Sequence, residues 1–101
     1  MNIKANEVYS IKLNSGEELI AKVLSLPDSD GFLVLEEPVS VAPGPQGIGL
    51  IPSMFTADPK GETKLNTKSI AIVSQTEDSV KTKYIQATTG ITVPSKKLII
   101  G

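Results

Sequence analysis

Three residue types are missing from this chain: it has no cysteine, no histidine and, since all ten of its basic residues are lysines, no arginine. Without cysteine, neither disulfide bonds nor thiolate metal sites can form. Without histidine and cysteine, the side chains most often used as general bases and nucleophiles are absent. Arginine is the side chain best suited to bidentate contacts with phosphates and base edges, so its absence disfavours a tight, sequence-reading nucleic-acid binder.

Long apolar runs are also missing. The longest, GIGLIP and KLIIG, are too short to cross a bilayer, and the N-terminal MNIKANEVYS lacks the apolar core of a signal peptide. We therefore expect a cytoplasmic protein with no membrane partner. A chain of 101 residues has room for one domain, so we expect residues 1–101 to fold as a single unit.

The first forty residues alternate apolar and polar side chains with a period near two, and each break falls on Gly, Pro, Asn or Asp. This pattern is typical of an antiparallel meander. In the first turn, Gly16 suits a positive φ. The predicted strands are about Val8–Leu13, about Glu18–Leu26, and a third strand made of Phe32–Leu35 and Val39–Val41 with an interruption at Pro38. The first of them places Tyr9, Ile11 and Leu13 on one face.

The second predicted strand is apolar on both faces. Leu19, Ala21 and Val23 lie on one side, and Ile20, Leu24 and Leu26 lie on the other. Such a strand is buried on both faces, which requires either a second layer of the same chain or a neighbouring subunit. The sequence leaves both explanations open.

The second half of the chain is less regular. Ala42–Pro52 is rich in Pro and Gly and predicts a loop that leads into an irregular strand at Ile48–Phe55. Ala57–Glu62 predicts a polar connection, and the run SIAIV predicts a strand at about Thr67–Ser74.

The segment from Thr76 to Thr89 fits two structures. Acidic residues at its start and an apolar stripe at helical spacing favour a short helix, whereas its threonines would also suit a final strand at Tyr84–Thr88. The tail at residues 92–101 is compatible with one more edge strand.

Carboxylates and lysines are the remaining candidates for chemistry. Glu17–Glu18 and Glu36–Glu37 are adjacent pairs, and neighbouring residues on a strand point to opposite faces, so neither pair converges on a substrate. We expect no enzyme, no metal site and no cofactor. Seven of the lysines and only four acidic residues lie beyond residue 50, which permits either a phosphate-binding face or an ordinary solvated surface.

Residues Val8–Glu37 resemble the first signature motif of the Sm-like (LSm) proteins, and short Sm-like proteins of marine phage look most similar. A weaker likeness to the second motif covers Ser69–Ser74. The matching positions of the first motif are Val8 and Leu13, Gly16, the alternation Leu19–Ala21–Val23, the turn residue Asp28, and LVLEE at Leu33–Glu37.

The resemblance implies a mainly β fold: a small, strongly bent, five-stranded antiparallel Sm-like (SH3-type) barrel at about residues 8–75, followed by a C-terminal extension at 76–101. It also implies a homo-oligomeric ring joined through strand edges, with weak and largely non-specific binding of single-stranded RNA, in the host cytoplasm if a phage encodes the protein. The implied RNA-binding residues are Asp28, Phe32, Lys68 and Gln75, with Phe32 stacking on a base and Lys68 meeting phosphate.

The chain departs from the family pattern at functional positions. The family's RNA-contacting Asn falls at Gly31 or Phe32, and its Arg–Gly pair falls near Ser74 and Gln75. MNIKANE leaves almost no room for the family's N-terminal helix. A second hypothesis is therefore a structural or assembly adaptor that binds other proteins through the apolar segment GIGLIPSMF.

Overall fold

The computed structural model describes residues 3–58 and 60–89, and this part of the chain contains six β-strands, one 3-10 turn and one α-helix. The expectation of a mainly β chain is confirmed, although six strands replace the expected five. The tail at residues 92–101, whose sequence is compatible with an edge strand, lies outside the described residues. In chain order the elements are β1 (Glu7–Leu13), β2 (Glu18–Ser25), β3 (Phe32–Gly44), β4 (Gly47–Pro52), β5 (Glu62–Asn66), η1 (Thr67–Ser69), β6 (Ile70–Gln75) and α1 (Asp78–Thr89).

The long strand β3 organises an antiparallel sheet of order β4-β3-β2-β1-β6. One edge of β3 pairs with β2. Its other edge pairs with β5 along Phe32–Glu36 and with β4 along Val39–Gly44. Within the described residues, β6 pairs only with β1, and both β4 and β5 pair only with β3, so backbone pairing does not close the sheet.

The inner face of the sheet carries the larger core. Tyr9 and Ile11 of β1 and Leu19, Ala21 and Val23 of β2 are buried there, as the alternation predicted. β3 adds two leucines, and single side chains of β5 and β6 pack against the same cluster. Five strands therefore share one core, which requires the sheet to curl around it. The additional residues are Leu33 and Leu35 of β3, Leu65 of β5, and Ile70 and Val73 of β6.

The predicted interruption of the third strand at Pro38 is wrong, because β3 continues through it as a bulge. Residues 20 and 22 of β2 pair with residues 39 and 36 of β3, so Ala21 lies opposite both Glu37 and Pro38. Glu37 has a φ of 45°, in the left-handed region, and Pro38 has no N–H to donate. The extra residue bends the strand without ending it.

The segment after Thr76 forms a helix and not a strand, and this helix, α1, packs on the outer face of the sheet. Tyr84, only 3% exposed, packs with Val8, Ile20 and Val39, and Val80 lies beside them. The two-sided burial of β2 is thus explained by a second layer of the same chain. A neighbouring subunit is not needed to account for it.

The hydroxyl of Tyr84 also bridges β2 and β3 beside the bulge. It accepts a hydrogen bond from the Lys22 N–H at 3.0 Å and donates one to the Glu36 carbonyl at 2.7 Å. Burial raises the pKa of this phenol to about 12, and the nearby carboxylates of Glu37 and Glu36 act in the same direction.

The loop predicted at Ala42–Pro52 is instead a β-ribbon. The pairing of β3 with β4 runs from Val39 opposite Pro52 to Gly44 opposite Gly47, and a two-residue turn joins the two strands. Pro43 is tolerated because β3 pairs only with β4 beyond Ser40, so no second ladder needs its missing N–H. The predicted strand at Ile48–Phe55 ends early, at Pro52, and Phe55 is 81% exposed.

Strand β5 was missed, since its alternation contains only one large apolar residue, Leu65. The strand predicted at Thr67–Ser74 begins only at Ile70. Its first three residues form η1 because the Asn66 side chain accepts a hydrogen bond from the Lys68 N–H at 2.9 Å and so starts a turn. None of the helices in residues 3–58 and 60–89 combines the length and apolarity needed to cross a membrane.

We expect the raised pKa of Tyr84 to make the protein unfold more easily in alkali. The folded state favours the neutral phenol, so the phenol's contribution to the free energy of unfolding is complete below pH 10. This contribution is lost as the pH rises through about 12. Between pH 10 and 12, the free energy of unfolding of the wild type should fall by up to roughly 2 kcal/mol more than that of Tyr84→Phe. Urea titrations across this range measure the difference, and parallel curves for the two proteins would contradict it.

Candidate functional site

Three connections meet at η1: the β1–β2 turn and the β2–β3 turn, which flank opposite ends of β2, both form hydrogen bonds with η1. The Asn14 side-chain amide donates to the Lys68 carbonyl at 2.8 Å, and the Asn14 N–H donates to the Ser69 carbonyl at 2.7 Å. Thr67 donates to the Gly31 carbonyl through both its N–H, at 2.9 Å, and its hydroxyl, at 2.8 Å. Polar bonds therefore hold the three connections together as one loop cluster.

The β2–β3 turn is built around the Asp28 carboxylate. One of its oxygens accepts hydrogen bonds from the N–H groups of Asp30, at 2.9 Å, and Phe32, at 3.2 Å. Gly31 closes the turn in the left-handed region, with a φ of 80°, where a side chain would be strained. The charged carboxylate thus orders the loop from within.

The same bonds lower the pKa of Asp28. The Phe32 N–H is the largest cause; desolvation opposes it in part, and the Lys64 ammonium acts in the lowering direction. Because the carboxylate is already engaged by the backbone of its own turn, its main role in this structure is to shape the loop rather than to present a free anion.

Phe32 lies on the outer face of the β3–β5 pair, beyond the part covered by α1. It sits opposite Asn66, and the next outward pair is Val34 with Lys64. Phe32 is half-buried, whereas Asn66 and Lys64 are exposed. An aromatic ring flanked by an amide and an ammonium can stack on a planar group while contacting an anion attached to it.

Lys68 is exposed on η1, two residues beyond Asn66, so it belongs to the same loop cluster. Gln75 does not. It pairs with Tyr9 at the far end of β6, whereas the loop-proximal end of β6 pairs with Leu13, roughly 17 Å away at the usual rise of a strand. Of the four predicted site residues, the structure brings Asp28, Phe32 and Lys68 together and leaves Gln75 apart.

Lys64, Asn66 and Thr67 were missed by sequence reasoning. They lie in or next to β5, whose alternation Glu62–Thr63–Lys64–Leu65–Asn66 places every second residue outward. That alternation was the available signal, and its single leucine made it weak. In the ranges 3–58 and 60–89, no group of three or more carboxylates is arranged to hold a metal ion.

Comparison with known proteins adds no assignment for this chain. No protein-family model matches it, and no curated protein matches it. The function therefore has to be inferred from the geometry of the loop cluster and of the sheet edges.

We expect Asp28→Ala to loosen the loop cluster and destabilise the protein at neutral pH, because the N–H groups of Asp30 and Phe32 lose their acceptor. Because the pKa of Asp28 is lowered in the folded state, its carboxylate stabilises the fold fully at any pH above the ordinary pKa of aspartate. This stabilisation is lost as the pH falls through the lowered pKa of the folded state. The deficit of Asp28→Ala relative to the wild type should therefore shrink in acid, as measured by urea unfolding between pH 2 and 7.

Asp30→Ala is the matched control, since it removes a carboxylate from the same turn without removing that acceptor. Asp28→Asn keeps an acceptor oxygen but cannot ionise, and it should fall between the wild type and Asp28→Ala. Equal stability of the two alanine variants at neutral pH would show that the Asp28 carboxylate does not order the turn.

Proposed function

We propose that the protein is an Sm-like barrel that assembles into a homo-oligomeric ring and binds single-stranded RNA weakly, with little sequence preference. The observation that carries the RNA-binding role is the position of Phe32, partly exposed on the outer face of the β3–β5 pair and flanked by Lys64, with Lys68 on the adjoining η1. Hydrogen bonds from Thr67 to Gly31 hold these parts in one arrangement.

The chemistry of this site suits a single strand rather than a duplex. An aromatic ring can stack on any base, since every base has a π-face, and lysines nearby can meet the phosphates of the backbone. The acidic residues Asp28, Asp30 and Glu62 lie in the same region, and the whole chain has a net charge of −1. Binding is therefore expected to be weak and to weaken further with salt.

A barrel is supported by the shared inner core. Side chains from β1, β2, β3, β5 and β6 pack into one cluster. The bulge at Glu37–Pro38 bends β3, which pairs with two of these strands, β2 and β5. A sheet curled in this way brings its outermost strands towards each other.

A ring is supported by the charge pattern of the sheet edges. β4 (GIGLIP) and β6 (IAIVSQ) stand at the two ends of the sheet, and neither strand contains a charged residue. By contrast, β5 carries Glu62 and Lys64. Exposed edges are normally protected by charged side chains, so two uncharged edges at opposite ends favour head-to-tail pairing between copies, which closes into a ring when the rotation permits.

Phe32→Ala should weaken binding of a fluorescent oligo(U) at low salt by about 5- to 150-fold, because stacking on an aromatic side chain contributes about 1–3 kcal/mol per base. Phe55→Ala is the matched control: Phe55 is the other phenylalanine and is even more exposed, but it lies outside the loop cluster. Fluorescence anisotropy measures both affinities. Equal losses in the two variants would contradict the proposed site.

A second candidate function is favoured by a separate observation. Residues 38–57 contain no charged side chain, and this segment exposes Ile51, Met54 and Phe55. An exposed apolar patch of this kind is typical of protein-interaction surfaces. If the wild-type ring fails to bind oligo(U), the adaptor becomes the better explanation, and nuclease-resistant partners lost in Phe55→Ala but kept in Phe32→Ala would support it.

Self-association should depend on the β6 edge. Ile72, at 60% exposed, is the large apolar side chain on this strand that faces solvent, and Ile72→Lys would place a protecting charge on the edge. We expect light scattering to give a multiple of 10.7 kDa for the wild type and a large shift towards the monomer for Ile72→Lys.

Ile85→Lys is the control for this experiment, since Ile85 is an exposed isoleucine on α1 and belongs to neither uncharged edge strand. It should leave the assembly intact. A wild-type mass near 10.7 kDa would rule out the ring, and equal dissociation of both lysine variants would remove β6 from the interface.

A further inference from the structure

The bulge in β3 separates two parts of the strand that serve different neighbours. The part before it, Phe32–Glu36, pairs with β5 and leads from the loop cluster. The part after it, Val39–Gly44, pairs with β4 and extends into a ribbon that β2 accompanies only as far as Ser40. The angle between these two parts is set at Glu37 and Pro38, because a bulge increases the local bend and twist of a strand.

Backbone bonding between β2 and β3 is interrupted at the bulge, although the Pro38 carbonyl accepts a hydrogen bond from the Ser53 N–H at 3.1 Å. Pro38 has no N–H, and Glu37 occupies the left-handed region at a φ of 45°, so the regular β2–β3 ladder is broken there. The Tyr84 hydroxyl lies at this break and joins the Lys22 N–H of β2 to the Glu36 carbonyl of β3. A side chain from α1 therefore supplies bonding between the strands at the hinge of β3.

The helix that supplies this hydroxyl follows Thr76, whose hydroxyl lies 3.0 Å from that of Ser10 in β1. Tyr84 is the buried residue of α1, and Val80 is the other side chain that packs into the outer core. A helix of 12 residues is marginal by itself in water. Docking of α1 and ordering of the bulge are therefore linked through the Tyr84 side chain.

We infer that α1 is a conformational clip: by inserting the Tyr84 hydroxyl into the β3 bulge, it fixes the angle between the β3–β5 part of the sheet and the β3–β4 ribbon. The inference uses the proposed function only to say what the two parts do, namely bind RNA and pair with a neighbouring copy. When the clip is released, the ribbon moves relative to the loop cluster, so the two activities are coupled through one hinge.

The angle can be measured directly, because the chain contains no cysteine and accepts a pair of introduced spin labels without background. Gln46→Cys, at the ribbon tip, and Glu62→Cys, on β5, report the distance across the hinge. Full-length protein is labelled at both sites, diluted with unlabelled protein to suppress distances between copies, and measured by pulsed electron spin resonance. We expect a narrow distance distribution in the otherwise wild-type chain and a broad one with Tyr84→Phe.

Tyr9→Phe is the matched control. Tyr9 is 1% exposed, and its hydroxyl also accepts a backbone hydrogen bond, from the Lys4 N–H at 2.8 Å, but it lies in the inner core away from the bulge. It should leave the distribution narrow. Amide exchange gives a second measurement: the Lys22 N–H should exchange roughly tenfold faster in Tyr84→Phe and keep its rate in Tyr9→Phe, as expected for one lost hydrogen bond.

A distribution as narrow in Tyr84→Phe as in Tyr9→Phe would overturn the clip. If Tyr84→Phe does not fold, Val80→Ala keeps the Tyr84 hydroxyl on the chain but weakens the packing that docks α1, so the hydroxyl leaves the bulge more often and the same distribution should broaden. An unchanged distribution would again overturn the inference. Failure of the wild type to bind oligo(U) or to self-associate would refute the proposed function instead, without affecting the distance result.

Discussion

The structure depends on how β3 crosses Pro38. A central strand that loses one backbone donor and places Glu37 at a positive φ would normally end or fray there. It continues because the Tyr84 hydroxyl contacts both strands at the break, while the aromatic ring fills the apolar surface beside it. One side chain thus satisfies the polar requirement and the packing requirement at the same place, and a buried polar group that bonds on both sides stabilises where an unpaired one would destabilise.

This arrangement also divides the molecule into two cores. The inner core is formed by the curl of the sheet around Tyr9 and its apolar neighbours. The outer core exists only because α1 lies on Val8, Ile20 and Val39. β2 belongs to both, which is why it is apolar on both faces. Since α1 accounts for the second face, the case for self-assembly rests on the uncharged edges of β4 and β6 and no longer on the burial of β2.

The parts of the fold that sequence reasoning predicted are those that follow from alternation alone. Tyr9, Ile11, Leu19, Ala21 and Val23 were placed on the correct face because a period of two in a strand allows only one assignment. Strand β5 and the continuation of β3 could not be found in this way. Leu65 alone gives too little contrast between faces, and Pro38 lies in a bulge beside which a tyrosine 46 residues later forms hydrogen bonds.

The same distinction applies to the candidate site. Asp28 and Phe32 were implied by the resemblance to the Sm-like motif, whereas their grouping with Lys64 and Lys68 depends on the register between β3 and β5, which sets Phe32 opposite Asn66. A shift of one residue would turn Lys64 inward and Leu65 outward. Burial of Leu65 against the inner core therefore fixes which lysine lies beside Phe32. The packing of one apolar residue determines the charge at the surface, and this long-range link is why the site could be assembled only from the structure.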